Sequence, residues 1–415
     1  MADSLLDAVC AAYLESGDFN GLLLYGADAT IKQQAMEAVR ADMVQVVTQE
    51  DYPNPSIRPW PSMRSTDEQV ASIDALDGTG CGVCLYPTPA ALADRARDLH
   101  ADQPYRQQMA EGRGALELAY FEFAVLEPYR DDPRFTFRFN DFGAQTIISD
   151  AVYLDEGEPE HDKIIMRHIG FAYDLSRYNA DDPDSPIVRR VCAFYGDLAK
   201  LSPRHQQRWQ TYQIDDETPL EPHPVWWGEQ MGHWADGLGP FDRLSYELEA
   251  LSTVYEKIFS APLLVVTERP EDFGWLLRPT QHDWDAFVVQ MDKLLSENLR
   301  HDALTAAGVP RSDDSGQPMG TLQRLERLML DKRVPANQAA EVLQPFREVR
   351  RARQLPAHTL RTNVTDATFI HKQVELMERV TASVEQIRRF FQTHPACKDW
   401  TEPDLLHVDA TCYRM

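Results

Sequence analysis

The chain lacks the features that most quickly reveal a role. Its 415 residues hold 6 cysteines, at 10, 81, 84, 192, 397 and 412, too sparse for a disulfide framework and suited to a reducing cytosol. No run of 18 or more apolar residues occurs, so no membrane span is expected. The opening residues carry Asp3 and Asp7 where a secretory leader carries positive charge, and the expected location is cytoplasmic. Cations are in the minority, 41 Lys+Arg against 66 Asp+Glu for a net charge of −25. That balance excludes a general DNA-coating protein, because neutralising phosphates takes clustered Lys and Arg. A phosphate loop is missing too: Tyr25-Gly26-Ala27-Asp28-Ala29-Thr30 has no lysine, which argues against an ATPase. Internal repeats and low-complexity tracts are absent.

What is present is 43% hydrophobic residues, enough for real cores and about two to four domains at roughly 100–200 residues each. Short apolar runs at Gly21–Tyr25, Met43–Val47 and Gly82–Leu85 alternate with helical patterns near Ile31–Arg40 and Asp67–Leu76. This predicts a small α/β region over 1–100. Tyr52–Met63 holds four prolines and must be a loop. Residues 101–265 read as a mixed β sheet with helices. A helix is expected from Asp102 through Leu126, and strands at Phe135–Phe139, Thr146–Ser149, His168–Tyr173 and Val188–Phe194. The stretch 196–260 reads as helical and aromatic. A domain boundary is expected near 265–282.

Residues 270–400 predict an antiparallel bundle of four amphipathic helices, followed by a tail over 401–415. Trp284–Arg300 places Phe287, Met291, Leu294 and Leu295 on one face, and Thr321–Leu330 places Leu322, Leu325, Leu328 and Met329 likewise. A third helix starts after Pro335 and is expected to stop at Pro356. The fourth, about Thr365–Gln392, carries Ile370, Val374, Met377, Val380, Val384, Ile387 and Phe391 at three-four spacing. The expected fold class is therefore α+β, a mixed α/β front followed by a helical bundle.

Between the third and fourth helices lies Arg350-Arg351-Ala352-Arg353-Gln354-Leu355-Pro356-Ala357-His358. Arg353 and His358 form R-x4-H, and at this motif the sequence resembles the HEPN superfamily of four-helix-bundle ribonucleases. Gln354 fills the polar place that usually follows the arginine there. The residue types suit metal-free RNA cleavage. Histidine, with an ordinary pKa of about 6.5, can take the proton of a 2′-hydroxyl or protonate the leaving oxygen. Arginine stays charged and offers a planar fork to phosphate oxygens. The resemblance implies a homodimer in which two motifs face each other and leave a cyclic 2′,3′-phosphate. It also implies a toxin or antiphage effector that the acidic front holds in check. Arg353 and His358 are the candidate catalytic residues, and Arg347, Arg350, Arg351 and Gln354 the candidate RNA contacts. Neither metal nor other cofactor is expected. Phrases such as Ile164–Tyr173, Asp197–Trp209 and Phe273–Thr280 are similar to a bacterial protein family without an assigned biochemical function.

Bland readings stand beside this one. The arginine run can be a solvated helix face with Glu348 at hand to pair, and His358 can close a helix turn. A second pair, Arg389 and His394, reads as surface or capping. Cys81 and Cys84 form a single CxxC on a predicted strand, better read as buried small residues than as zinc ligands. His161-Asp162 with Asp155, Glu156, Glu158 and Glu160 reads as a solvated acidic loop. The aromatics around His205–Trp209 and His223–Trp227 read as core. Asp292 and Glu297 can orient Arg353 or His358, although no motif marks them. The rival function is a non-catalytic dimerising or ligand-binding protein, its ligand or regulatory partner taken up by the front region.

The acidity is uneven. Residues 1–279 carry 23 basic and 47 acidic residues, whereas 280–415 carry 18 and 19. An acidic front that masks a basic site predicts that an isolated 270–415 fragment binds RNA more strongly than the full chain at low salt.

Overall fold

The computed structural model describes residues 2–26, 28–78, 82–148, 164–174, 188–214, 220–233, 238–358 and 362–407, with the backbone alone for 2–4 and 355–358. The first element group is α1 (Ala2–Glu15), β1 (Leu22–Leu24), α2 (Ala29–Arg40), β2 (Val44–Val47), α3 (Thr66–Asp74) and β3 (Val83–Pro87). Capping chemistry starts its helices. The Asp28 carboxylate accepts from the Ile31 amide, and Ser65 and Glu68 form a reciprocal capping box at α3. The strands order β1-β3-β2, with β3 antiparallel to both neighbours. Alternation along β3 divides two cores. Val83 and Leu85 face α1–α3 with Val9, Ala35, Val39 and Ile73, while Cys84 and Tyr86 join the main core of the molecule.

The second group holds α4 (Pro89–Leu92), α5 (Pro104–Ala110), β4 (Leu118–Glu122), α6 (Glu127–Asp131), β5 (Phe135–Phe139), β6 (Gly143–Ile148), β7 (Ile165–Asp174), β8 (Val188–Phe194), α7 (Tyr195–Leu198), α8 (Pro203–Thr211), β9 (Leu220–Pro222) and α9 (Pro224–Gln230). The expected helix from Asp102 to Leu126 is corrected here. It ends at Ala110, because Gly112 turns at φ +105° and Leu118–Glu122 leaves to pair antiparallel with β8. The sheet runs β4-β8-β7-β6-β5, and β9 pairs with the far end of β7. One face presents Phe121, Phe171, Val191 and Ala193 to the main core; the other presents Ala172, Cys192 and Phe194 to Trp226. Gly170 makes room for that tryptophan, since a Cβ there would meet the ring at 2.4 Å.

The third group is helical: α10 (Pro240–Phe259), α11 (Gln281–Leu294), α12 (His301–Ala306), α13 (Thr321–Asp331), α14 (Ala336–Val342), α15 (Gln344–His358) and α16 (Thr368–Gln392). The helix expected between Pro335 and Pro356 is two helices. Pro345, in the first turn of α15, cannot donate backward, and the chain breaks at Leu343. Pro356 does not stop α15, which continues to His358; a proline this close to the end forfeits one hydrogen bond while the flanking ones persist. The first expected helix, Trp284–Arg300, is shorter at its end: α11 runs Gln281–Leu294, and α12 begins beyond the expected range at His301. The chain is thus α+β, with antiparallel sheets in the N-terminal half and helices in the C-terminal part. Among the described residues, no helix is long and apolar enough to cross a membrane.

Helix α10 lies before the expected boundary near 265–282, yet it packs along α16. Leu244, Leu248, Leu251 and Tyr255 are buried with Val380, Val384, Ile387 and Phe391 in one cluster. Asp141, from the β5–β6 turn, accepts from the Phe241 and Asp242 amides at the start of α10 and pairs with Arg269 at 2.5 Å. This carboxylate at a helix N-terminus ties sheet to helices. A 270–415 fragment therefore strips α10 from α16 and exposes several side chains worth roughly 1.5–3 kcal/mol each. It is expected to elute as aggregate and to lack a cooperative melt; a folded monomer on size exclusion would contradict the shared core.

Candidate functional site

Helix α15 buries Phe346 and Val349. Arg353, four residues beyond Val349, continues the same stripe and faces α11. There its Nη1 donates to Asp292 Oδ2 at 2.8 Å and to Glu297 Oε1. Asp292 is fully buried on α11, between the core residues Met291 and Leu295. Its other oxygen accepts from the buried Ser296 hydroxyl, and the Thr321 hydroxyl donates to the Ser296 carbonyl at 2.8 Å. The carboxylate is thus satisfied on both oxygens, which lets it stay charged inside the helices. The hydrogen bond to Asp292, then that to Glu297, raises Arg353 above its ordinary pKa. About a third of the Arg353 side chain (36%) stays open to solvent.

The other predicted residues do not share its face. Arg347 turns to Glu326 at 2.7 Å and to the Ala340 carbonyl. Arg350, Arg351 and Gln354 are exposed, and among the described residues neither Arg350 nor Arg351 has an ion pair. Glu348 pairs with Arg379 and accepts from Gln344 rather than serving the arginine run. His358 follows Arg353 by five residues on one continuous helix, about 7.5 Å along its axis and about 1.4 turns on; its side chain lies outside the described residues. Arg353 is therefore joined to Asp292, Ser296 and Glu297. The sequence offers both acids as candidate orienters and gives no sign of Ser296. A Ser four residues after an Asp on an apolar helix face is the signal that could have found it.

The remaining constellations resolve as structure. Cys84 is buried, and burial pushes its thiol up to about 11, so it is a poor nucleophile; Cys81 and the acidic loop 155–162 lie outside the described residues. Trp209 Nε1 donates to the Tyr129 hydroxyl at 3.0 Å, and that hydroxyl pairs with His205 Nδ1 at 2.9 Å, all three buried. His223 Nδ1 accepts from the Val225 amide and the ring stacks on Phe142. Arg389 pairs with Glu385 on its own helix, and His394 caps the Pro395–Cys397 turn. Among the described residues no group of three His, Cys, Asp or Glu side chains is placed to hold a metal ion.

No family model, curated protein or solved structure matches the chain.

Proposed function

We propose that this protein is a metal-independent endoribonuclease of the HEPN type, working as a homodimer. The observation that supports it most is the anchoring of Arg353: a charged guanidinium, one-third open to solvent, held in place from α11 by a fully buried carboxylate. A phosphorane needs a cation that does not reorganise as charge builds, and this one is fixed before substrate arrives. Positions 353 and 358 are about 1.4 helical turns apart on α15, and in this reading a facing second copy completes the site.

The reaction balances within that site. His358 of one copy takes the proton of the 2′-hydroxyl; the 2′-oxygen bonds to phosphorus; the bond from phosphorus to the 5′-oxygen breaks. His358 of the other copy protonates the departing 5′-oxygen. The products are a cyclic 2′,3′-phosphate and a 5′-hydroxyl, with no net proton change. Arg350 and Arg351, the exposed cations of the row, are left to meet neighbouring phosphates.

A second reading has its own support. Asp292 and Glu297 together outweigh the charge of Arg353, which suits a latch between α11 and α15 in a non-catalytic, ligand-binding protein. Incubation of the full chain with tRNA or total RNA in EDTA separates the two. The nuclease reading expects fragments ending in cyclic 2′,3′-phosphate; intact RNA at every protein concentration, with the dimer present, overturns it. A toxin role expects growth arrest on expression.

A further inference from the structure

A cavity of about 460 Å3 opens where α6, the end of β5, the 272–280 segment and the first turns of α11 meet, within the size range of small-molecule sites. Its floor is apolar: Phe139, Leu276 and Phe287 are buried there, with Ala286 at the edge. Its charged lining is unbalanced. Glu127, Asp131, Asp272 and Asp283 border it against only Arg130 and Arg278, and counting the exposed His282 as a cation still leaves carboxylates in excess.

Both guanidiniums are already engaged. Arg278 Nε pairs with Glu127 Oε1 at 2.6 Å. Arg130 forks onto Asp131, with Nε to Oδ1 at 2.8 Å and Nη2 to Oδ2 at 3.4 Å. Asp283 and Asp272 are left without a close cation. Only 10% of the Asp283 side chain is exposed, and its Oδ2 accepts from the Arg278 amide at 3.0 Å. Its Oδ1 makes no hydrogen bond and lies 3.9 Å from the same Arg130 Nη2 that serves Asp131. Unlike the partnerless atoms sealed inside the core, this oxygen keeps an accessible face, and Asp283 borders the cavity. The start of α11 offsets part of its charge; a cation in the cavity would complete the balance. Asp272 Oδ2 accepts from the neutral Gln290 at 2.6 Å, and among the described residues no cation pairs with it. Burial pushes the Glu127 carboxyl up, and Arg278 offsets only part of that, a further sign that negative charge here is short of partners.

These carboxylates do not converge on one point, since among the described residues no three His, Cys, Asp or Glu side chains are placed to hold a metal ion. Charge spread around an apolar floor suits separated cations joined by methylene groups. The spacing can be read from α11: Asp283 and Gln290, the partner of Asp272, are two turns apart on one face, about 10 Å along the axis.

We propose that this cavity binds a long aliphatic diamine, one ammonium on Asp283, the other on Asp272, and the methylene chain between them over Leu276 and Phe287. Two carboxylates without a close cation set the number of charges, and their separation sets the length. The inference is independent of the nuclease reading, since no residue is shared with the Arg353 cluster.

Heptane-1,7-diamine is a suitable probe, followed by calorimetry on the full chain at low salt without RNA. Heptylamine removes one charge, ethylenediamine removes the length, and Mg2+ supplies a point charge. The diamine is expected to bind one per chain with Kd below about 100 μM, and each comparator at least about tenfold more weakly. Asp283→Asn keeps an acceptor for the Arg278 amide and is expected to weaken diamine binding at least about tenfold with the melting temperature unchanged. A purely structural carboxylate gives the opposite, a lower melting temperature and unchanged binding. Asp67→Asn, on an exposed face of α3 outside the cavity, controls for general attraction to an acidic chain and is expected to bind as the parent does. Ala286→Arg, at an exposed helix position bordering the cavity, brings in the chain's own guanidinium; it is expected to abolish binding and serves if Asp283→Asn does not fold. No saturable diamine binding below about 1 mM, equal affinity for any comparator, full binding by Asp283→Asn or Ala286→Arg, or the same loss in Asp67→Asn overturns the proposal.

Discussion

Replacing His358 by alanine is expected to slow RNA cleavage by roughly 10²–10⁴-fold while the far-UV spectrum, melting temperature and dimer mass stay unchanged. The size follows from removing both proton transfers at once in a symmetric dimer, since each copy loses its imidazole. Position 358 is chosen over 353 because Arg353→Ala would leave Asp292, fully buried, without its cation, and lost activity would then be confounded with lost packing. The same assay carries a pH signature. One imidazole acting as base and the other as acid make cleavage bell-shaped in pH, falling on both the acid and the alkaline side. Mixed dimers of parent and His358→Ala chains are expected to lose most activity, because each composite site then lacks one of its two histidines. Equal cleavage by parent and variant would remove His358 from the reaction and leave the latch reading of Arg353 standing.

The second large effect concerns stability. Arg388, fully buried on α16, forms a two-pronged pair with Glu247, fully buried on α10, at 2.6 and 3.1 Å. Arg388 also reaches Glu402 at 2.9 Å and Gln392 at 3.0 Å. Arg388→Met is expected to destabilise the protein by about 3–5 kcal/mol, read from the urea midpoint, because it strands the Glu247 charge in the core. The double variant Glu247→Leu with Arg388→Met is expected to recover most of that loss, since the fully buried carboxylate is gone and only Glu402, which keeps some access to solvent, is left without Arg388. A double variant as unstable as the single one would show that the pair itself, rather than the stranded charge, holds α10 to α16.

Much of the fold was legible along the chain wherever short-range rules decide it. The strand pattern of Val188–Phe194 and the three-four spacing over about Thr365–Gln392 are local signals; the strand forms as placed, and the helix starts three residues later, at Thr368. Pro335 opens a helix as expected, yet Pro345 splits it, since a proline both starts and interrupts a helix and only the packing of Leu343 and Phe346 selects between the two. Leu118–Glu122 has helical company in sequence and becomes a strand because β8 offers a free edge.

The site divides in the same way. R-x4-H and its arginines could be read directly, and the local spacing of Phe346, Val349 and Arg353 already sets Arg353 on the inward stripe. That its partner is Asp292, 61 residues away, depends on how α11 and α15 pack. The acidic cavity is similar: Asp272 and Asp283 are near neighbours along the chain, but Glu127 and Asp131 border the same space only because α6 meets the start of α11. By itself the sequence determined the α+β order, the acidic front and the residue types suited to phosphate chemistry, because these follow from composition and periodicity. Only the tertiary structure decided which charges meet. Ion pairs between segments separated by 61 or 141 residues arise from packing geometry, and no local pattern encodes them.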